Sequence, residues 1–342
     1  MEPIRVAVIG VGWIGSLYAR IVSQAHNAEL TAVCSRTSDT AQAVAKELHT
    51  VAYTDARVMF KEQRGIQATI IATPEPDHLD PVRAAVEAGS HILLEKPVAT
   101  VMSEARQIVK LVRDSGLTLG VCHHLRFDAR YAAIHDAVAA GDVGDIVHIY
   151  ARRFLPLWSP KHLNGRVEIT YWTGVHDLDM MNWIIGQRAL RVTARGRKNV
   201  LREMGVHDVI VSIVEYADGT LAVLENSWAT PTLQGRPRAY IFDVRGTKGS
   251  AEVSGYETGA QVYTEQTARA IDTFHRANLN GVWVGAYREL TLNYLDALLN
   301  SRSPLVTGED GLASTLVADA ILRSLASGRT EDVDWGDLGG PS

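Results

Sequence analysis

Gly10-Val11-Gly12-Trp13-Ile14-Gly15 sits directly after the apolar run 4–9 and directly before a stretch of helical periodicity, which leaves the N-terminal part of the chain few folds to choose from. In a strand–turn–helix context each glycine has its own task. The first allows a tight reversal, the second lets a phosphate approach bare backbone, and the third lets the helix pack closely on the strand. The helix then turns its first N–H groups, around Gly12, Trp13 and Ile14, toward an anion. The turn predicts a dinucleotide pyrophosphate bound at the start of a parallel sheet.

The pattern that follows agrees. Short β-rich runs at 4–9, 30–34, 68–72, 91–94 and 117–122 alternate with amphipathic helices. In the first helix Leu17, Ile21, Val22 and Ala25 share a face; in the second Ala41, Val44, Ala45 and Leu48 do, behind an N-cap candidate at Ser38. A third helix starts near Pro81 and stops at Gly89, and a fourth carries Ala105, Ile108, Val109 and Val112. The βαβα rhythm predicts a Rossmann domain over 1–122. Beyond it lie a helix over 129–140, period-two runs at 146–154, 206–216, 220–228 and 238–244, a hairpin turn at Ala217-Asp218-Gly219, and helices over 286–300 and 310–326 before a polar tail from Thr330. Residues 123–342 therefore read as an α+β domain with a large, mostly antiparallel open sheet, its C-terminal helices free to pack back on the first domain. The fold class is α/β.

Other properties narrow the partner. At 342 residues the chain is long enough for two domains, and its net charge of −5, with signs interspersed, gives no reason to expect nucleic acid or an anionic membrane. Cys34 and Cys122 are the two cysteines and lie in apolar runs, so no disulfide framework is expected. With no leader pattern and no apolar stretch of roughly 20 residues, a cytoplasmic location is the simplest expectation. A small molecule is the expected partner.

The end of the second strand bears on the choice of nucleotide. NAD enzymes usually carry an acidic residue there for the ribose 2′-hydroxyl. Here the segment is Cys34-Ser35-Arg36-Thr37, with three donors and no carboxylate, so NADP(H) is favoured and NAD(H) stays open. Arg36 reads the 2′-phosphate, stacks on adenine or is merely solvated. Lys96, in Glu95-Lys96-Pro97 after the strand at 91–94, stands at a strand's carboxyl end, where ligands of open α/β sheets bind.

The glycine turn, Thr73-Pro74 with His78 after it, Glu95-Lys96-Pro97, Arg126-Phe127 and Gly174-Val175-His176-Asp177-Leu178-Asp179 resemble the Gfo/Idh/MocA oxidoreductase family in order and spacing. The resemblance runs over nearly the whole chain, including Pro304-Leu305-Val306-Thr307-Gly308-Glu309-Asp310-Gly311. It implies hydride transfer between a nicotinamide and a carbinol or carbonyl carbon of a sugar, inositol or related polyol. Lys96 would hydrogen-bond the reacting oxygen and His176 would take or give its proton, while Thr73, Pro74, His78 and Glu95 would line the cofactor. It also implies a homodimer or homotetramer. The residue types suit the work: a lysine beside a nicotinamide cation has its pKa lowered, and histidine titrates closest to neutrality.

Several side chains have two readings. Asp179 either orients the imidazole of His176 or pairs within its own helix. The family's aspartate four residues before the histidine is Trp172 here, which reads as an aromatic wall against a sugar face or as core, with Tyr171 or Asp177 as substitute partners of His176. Arg153 and Trp158, in a basic segment leaving the first strand of the second domain, could meet an anionic group on the substrate or belong to a solvated loop or a subunit contact. Arg152 and Arg153 point to opposite faces, so only one can reach a cleft. His123 and His124 have no zinc spacing, so no metal is predicted; they are expected to flank substrate and nicotinamide respectively. Two further functions remain in view: a redox-assisted glycosidase that oxidises, eliminates and re-reduces an anionic or aryl glycoside, and a non-catalytic nucleotide sensor.

Overall fold

A computed structural model describes residues 2–230, 239–255, 261–263, 268–270 and 272–336. The chain divides into two compact units, 1–124 with 278–312, and 125–277 with 313–342. The segment 278–312, which the sequence placed within 123–342 with its helices free to pack back on the first domain, clusters with the first unit.

The first unit is built on β1 (Ile4–Ile9), α1 (Trp13–Ser23), β2 (Ala28–Cys34), α2 (Ser38–Leu48), β3 (Val51–Tyr53), α3 (Ala56–Glu62), β4 (Ala68–Ile71), α4 (Leu79–Glu87), β5 (His91–Leu94), α5 (Met102–Asp114) and β6 (Leu119–Val121). Its six-stranded sheet runs β3-β2-β1-β4-β5-β6, parallel throughout. Helices cover the sheet, so its strands are continuous apolar runs: Val6, Ala7 and Val8 of β1 and Ile70 and Ile71 of β4 are fully buried. Two elements escaped the sequence pattern, β3 and α3. A three-residue strand has no measurable period, and α3 is marked mainly by its cap, Asp55, which accepts from the Val58 N–H at 2.9 Å. The N-cap of α2 is Thr37 and not Ser38; Ser38 opens the helix and accepts from Gln42 Nε2 at 3.1 Å.

The second unit contains α6 (Ala129–Ala139), β7 (Ile146–Pro156), α7 (Trp158–His162), α8 (Val175–Ile185), β8 (Ala189–Arg197), β9 (Val209–Tyr216), β10 (Leu221–Thr230), β11 (Ala239–Gly246) and β12 (Ser250–Gly255). Two short hairpins follow, β13 (Gln261–Tyr263) with β14 (Ala268–Ala270), and β15 (Ala277–Leu279) with β16 (Val282–Val284), the latter leading into α9 (Ala286–Leu299) of the first unit. α10 (Gly308–Ser327) contains the division after Leu312, and β17 (Glu331–Asp332) ends the order. The seven-stranded sheet runs β12-β11-β7-β10-β9-β8-β17. Its pairs are antiparallel except β10 with β7, which is parallel. Gly219 closes the β9–β10 hairpin with φ +89° and an N–H to the Tyr216 carbonyl at 3.0 Å, where the sequence placed the turn. Arg238, expected at the start of β11, lies outside the described residues. The polar tail adds β17 to the edge of β8, because Glu331 and Asp332 supply the backbone partners that β8 would otherwise leave to solvent.

Among the described residues no helix is long and apolar enough to cross a membrane, and no group of three or more His, Cys, Asp or Glu is placed to hold a metal ion.

Candidate active site

Register makes the carboxyl edge of the parallel sheet level. Tyr53, Cys34, Ile9, Ile71, Leu94 and Val121 pair across the six strands in one row. The residues that leave this row are the ones the sequence singled out: Ser35 and Arg36 after β2, Gly10 after β1, Thr73 after β4, Glu95 and Lys96 after β5, and His123 after β6. With strands about 4.8 Å apart, Lys96 emerges roughly 10 Å from the glycine turn.

The turn has the shape a pyrophosphate requires. Gly10 has φ +89°, and a Cβ there would lie 2.6 Å from Ala72 and Thr73 backbone atoms; one on Gly15 would lie 1.9 Å from the Gly10 carbonyl oxygen. A Cβ on Gly12, by contrast, would meet nothing within 4 Å. Crowding thus forces Gly10 and Gly15, whereas Gly12 faces open space at the N-cap of α1, where no side chain caps the helix. A cradle that a side chain would fill, at the positive end of a helix dipole, fits a dinucleotide phosphate.

Around it the predicted cofactor residues divide into exposed and structural ones. Arg36 is exposed, and its Nη1 lies 3.2 Å from Asp77 Oδ2. Ser35 gives its N–H to the Tyr53 carbonyl at 3.0 Å, and Thr37 is the extended residue that starts α2. Thr73 donates its hydroxyl to the Asp77 carbonyl at 2.9 Å. His78 is a buried strut, its ring nitrogens 3.1 Å from the carbonyls of Thr73 and Val98; burial lowers its pKa, against the pull of those carbonyls. That side chain braces the loop after β4.

Glu95 is also committed. Its Oε1 accepts from Tyr18 Oη at 2.8 Å and its Oε2 from the Lys96 N–H at 3.0 Å. Burial raises its pKa, against the pull of Lys96 and of the Tyr18 hydrogen bond. Glu95 therefore holds the backbone on which Lys96 stands. Lys96 itself is half-buried. His123 is fully buried, and His124 stacks on Tyr287 of α9 with ring centres 4.5 Å apart, while Tyr287 also meets Tyr18 edge-on at 5.8 Å. Sequence reasoning missed Tyr18 and Tyr287; an aromatic residue on an apolar helix face carries no mark that separates it from ordinary core.

In the second unit His176 lies buried in the first turn of α8. The acids beside it belong to arginines. Asp177 accepts from Arg153 Nε and Nη2 at 2.6 and 2.7 Å, and Asp179 from Arg126 Nε and Nη2 at 2.9 and 2.6 Å. All four side chains are buried. Burial opposes the Arg153 charge, but Asp177 outweighs it and the arginine's pKa ends above its ordinary value. Arg153 also lies over the Tyr240 ring at 4.5 Å, and Arg126 over Trp183 at 5.1 Å. Arg153 is thus not the exposed anion reader that the basic segment suggested, because its fork is filled by Asp177; likewise Asp179 is bound to Arg126 and not to the imidazole. Trp158 is exposed at the start of α7. Tyr171 is buried; burial first, and the charge of nearby Asp319 after it, raise the phenol's pKa.

A π-turn over Thr170–Gly174 precedes α8, with the Val175 N–H reaching back to the Thr170 carbonyl. Trp172, within this turn, is half-buried. Gly174 permits close approach to β10: a Cβ there would lie 2.4 Å from Asn226 Oδ1.

Residues 4–123 match an oxidoreductase family with an NAD-binding Rossmann fold, and residues 131–252 match the GFO/IDH/MocA C-terminal domain. The chain belongs to the Gfo/Idh/MocA oxidoreductases. It is 28% identical over 285 residues to the 1,5-anhydro-D-fructose reductase of Ensifer adhaerens, covering 79% of this chain and 81% of that one. It is 27% identical over 342 residues to the inositol 2-dehydrogenase of Rhizobium meliloti strain 1021, covering 95% and 98%. The solved myo-inositol 2-dehydrogenase of Lactobacillus plantarum shares the fold, with a TM-score of 0.83 at 22% identity over 97% of this chain and 100% of that one.

Proposed function

We propose that this oxidoreductase moves a hydride between a nicotinamide dinucleotide and a carbinol or carbonyl carbon of a sugar, inositol or related polyol. One observation carries the reading: the open Gly12 cradle and Lys96 leave the same level sheet edge, two strands apart. A bound nicotinamide supplies hydride acceptance and donation. Lys96 hydrogen-bonds the substrate oxygen and stabilises the charge that develops there, an effect that is strong where water is excluded. His176 takes the hydroxyl proton during oxidation and returns it during reduction. The relatives named for anhydrofructose and inositol support a polyol substrate. Arg36, with no acidic residue at the end of β2, favours NADP over NAD. The outward face of the seven-stranded sheet, with exposed Val211, Ile213 and Leu221 ringed by charged residues, supports a homo-oligomer.

The test is a screen of sugars, inositols and glycosides with each nucleotide, followed by absorbance of the reduced nicotinamide. Stoichiometric reduction by one polyol is the expected result. Release of an aglycone without net nicotinamide reduction would replace this reading with the oxidation–elimination–reduction route.

A further inference from the structure

Arg36 and Asp77 stand on opposite sides of the glycine turn. In the order β2-β1-β4, the loop after β2 carries Arg36, the loop after β4 carries Asp77, and Gly10 leaves the strand between them. Their ion pair, Nη1 to Oδ2 at 3.2 Å, therefore strings across the edge from which the turn rises. The two ends differ in rigidity. Asp77 is pinned by its own backbone: its N–H donates to the Pro74 carbonyl at 2.8 Å, its carbonyl accepts from Thr73 Oγ1 at 2.9 Å, and neighbouring His78 is braced against Val98. Arg36 keeps a side chain 80% exposed. A carboxylate on an anchored backbone thus meets a loose guanidinium. No acidic residue occurs from Cys34 to Ser38, so a carboxylate role at this end of the site falls to the loop after β4.

We propose that Asp77 is a specificity-determining residue for the nucleotide, acting on the same Arg36 that would read a 2′-phosphate. The inference rests on the reading of the glycine turn as a dinucleotide site. Asp77 competes with the 2′-phosphate: NADP has to displace the carboxylate from the guanidinium, whereas NAD binds with the pair intact. The pair holds the preference for NADP to a modest one and leaves NAD usable.

The experiment titrates the full-length chain with NADPH and with NADH, reading dissociation constants from nucleotide fluorescence at low and high salt, for the wild type, Asp77→Asn, Arg36→Ala and the double variant. An exposed pair of this kind limits the effect to about fivefold. Asp77→Asn is expected to tighten NADPH about three- to fivefold, most at low salt, and to change NADH less than about twofold. In the Arg36→Ala background the gain disappears. Equal changes for both nucleotides, or the same NADPH gain without Arg36, would overturn this proposal while leaving the dinucleotide site standing. Failure of the wild type to bind either nucleotide would overturn the site and this proposal with it.

Discussion

Replacing Asp177 with asparagine keeps the side chain's shape and removes one charge from a pair that water does not reach. Arg153 then retains a guanidinium that is 5% exposed, faced by an amide that can accept only one of the two hydrogen bonds now made at 2.6 and 2.7 Å. Breaking a buried pair from one side costs about 3–5 kcal/mol, because the remaining charge has lost its partner but not its burial. Against a domain stability of about 5–15 kcal/mol that is a large share, and for a unit of this size it corresponds to a fall in unfolding temperature of roughly 10 °C. The double replacement Arg153→Met with Asp177→Leu removes both charges and is expected to return to within about 1 kcal/mol of the wild type. Urea and thermal unfolding followed by circular dichroism measure both. A loss below about 1 kcal/mol in Asp177→Asn would mean that the pair is solvated, and that α8 is not pinned in the way described.

Gly12→Ala is expected to leave the unfolding temperature unchanged and to weaken nucleotide binding at least about tenfold, since its Cβ enters the space a phosphate needs; Gly15→Ala, whose Cβ meets the Gly10 carbonyl at 1.9 Å, should lower stability as well. Lys96→Met and His176→Ala should each lower kcat by about 100-fold or more with nucleotide affinity nearly unchanged, and full activity in either removes that residue from the mechanism. His275 lies between Asp272 (2.9 Å) and Asp128 (3.3 Å); burial opposes its charge, but the two carboxylates outweigh it and raise its pKa. Its contribution is complete below about pH 6.5 and is lost as pH rises through the raised value, so the unfolding temperature should fall from about pH 6 to pH 9 and His275→Gln should flatten that slope. Ile213→Glu on the open sheet face should convert an oligomer to a smaller species by light scattering without lowering the unfolding temperature of the isolated chain; an unchanged mass rejects that face as the interface.

The first unit was readable because its strands are short apolar runs separated by helices of clear period, and because the glycine turn fixes where the first strand ends. What escaped was local. β3 is too short for a period, and β8, Ala189–Arg197, alternates arginines with small residues, so its buried side is held by Val192 and two alanines that carry little signal. The π-turn over Thr170–Gly174 has no sequence mark, since one extra residue in a helical turn leaves the residue types unchanged. Parity on β7 showed that Arg152 and Arg153 diverge but not which turns inward; Asp177 decides that, from 24 residues away. Likewise, the acids around His176 looked available because a sequence displays charges without their partners. Arg36 was visible as a donor, whereas Asp77, across the turn from it, became relevant only when the sheet order brought the two loops together.

The path of the backbone through the two units has an engineering consequence. Because 278–312 returns to the unit begun by 1–124, the second unit interrupts the first as an insertion does, with a C-terminal stretch added. A fragment ending at residue 124 would lack α9, whose Tyr294 is buried and reaches the Thr118 carbonyl beside β6, and would leave an apolar edge bare. Exchanging specificity with a relative by gene fusion therefore calls for splice points near residues 124, 277 and 312, and a single crossover in mid-chain would produce two incomplete cores.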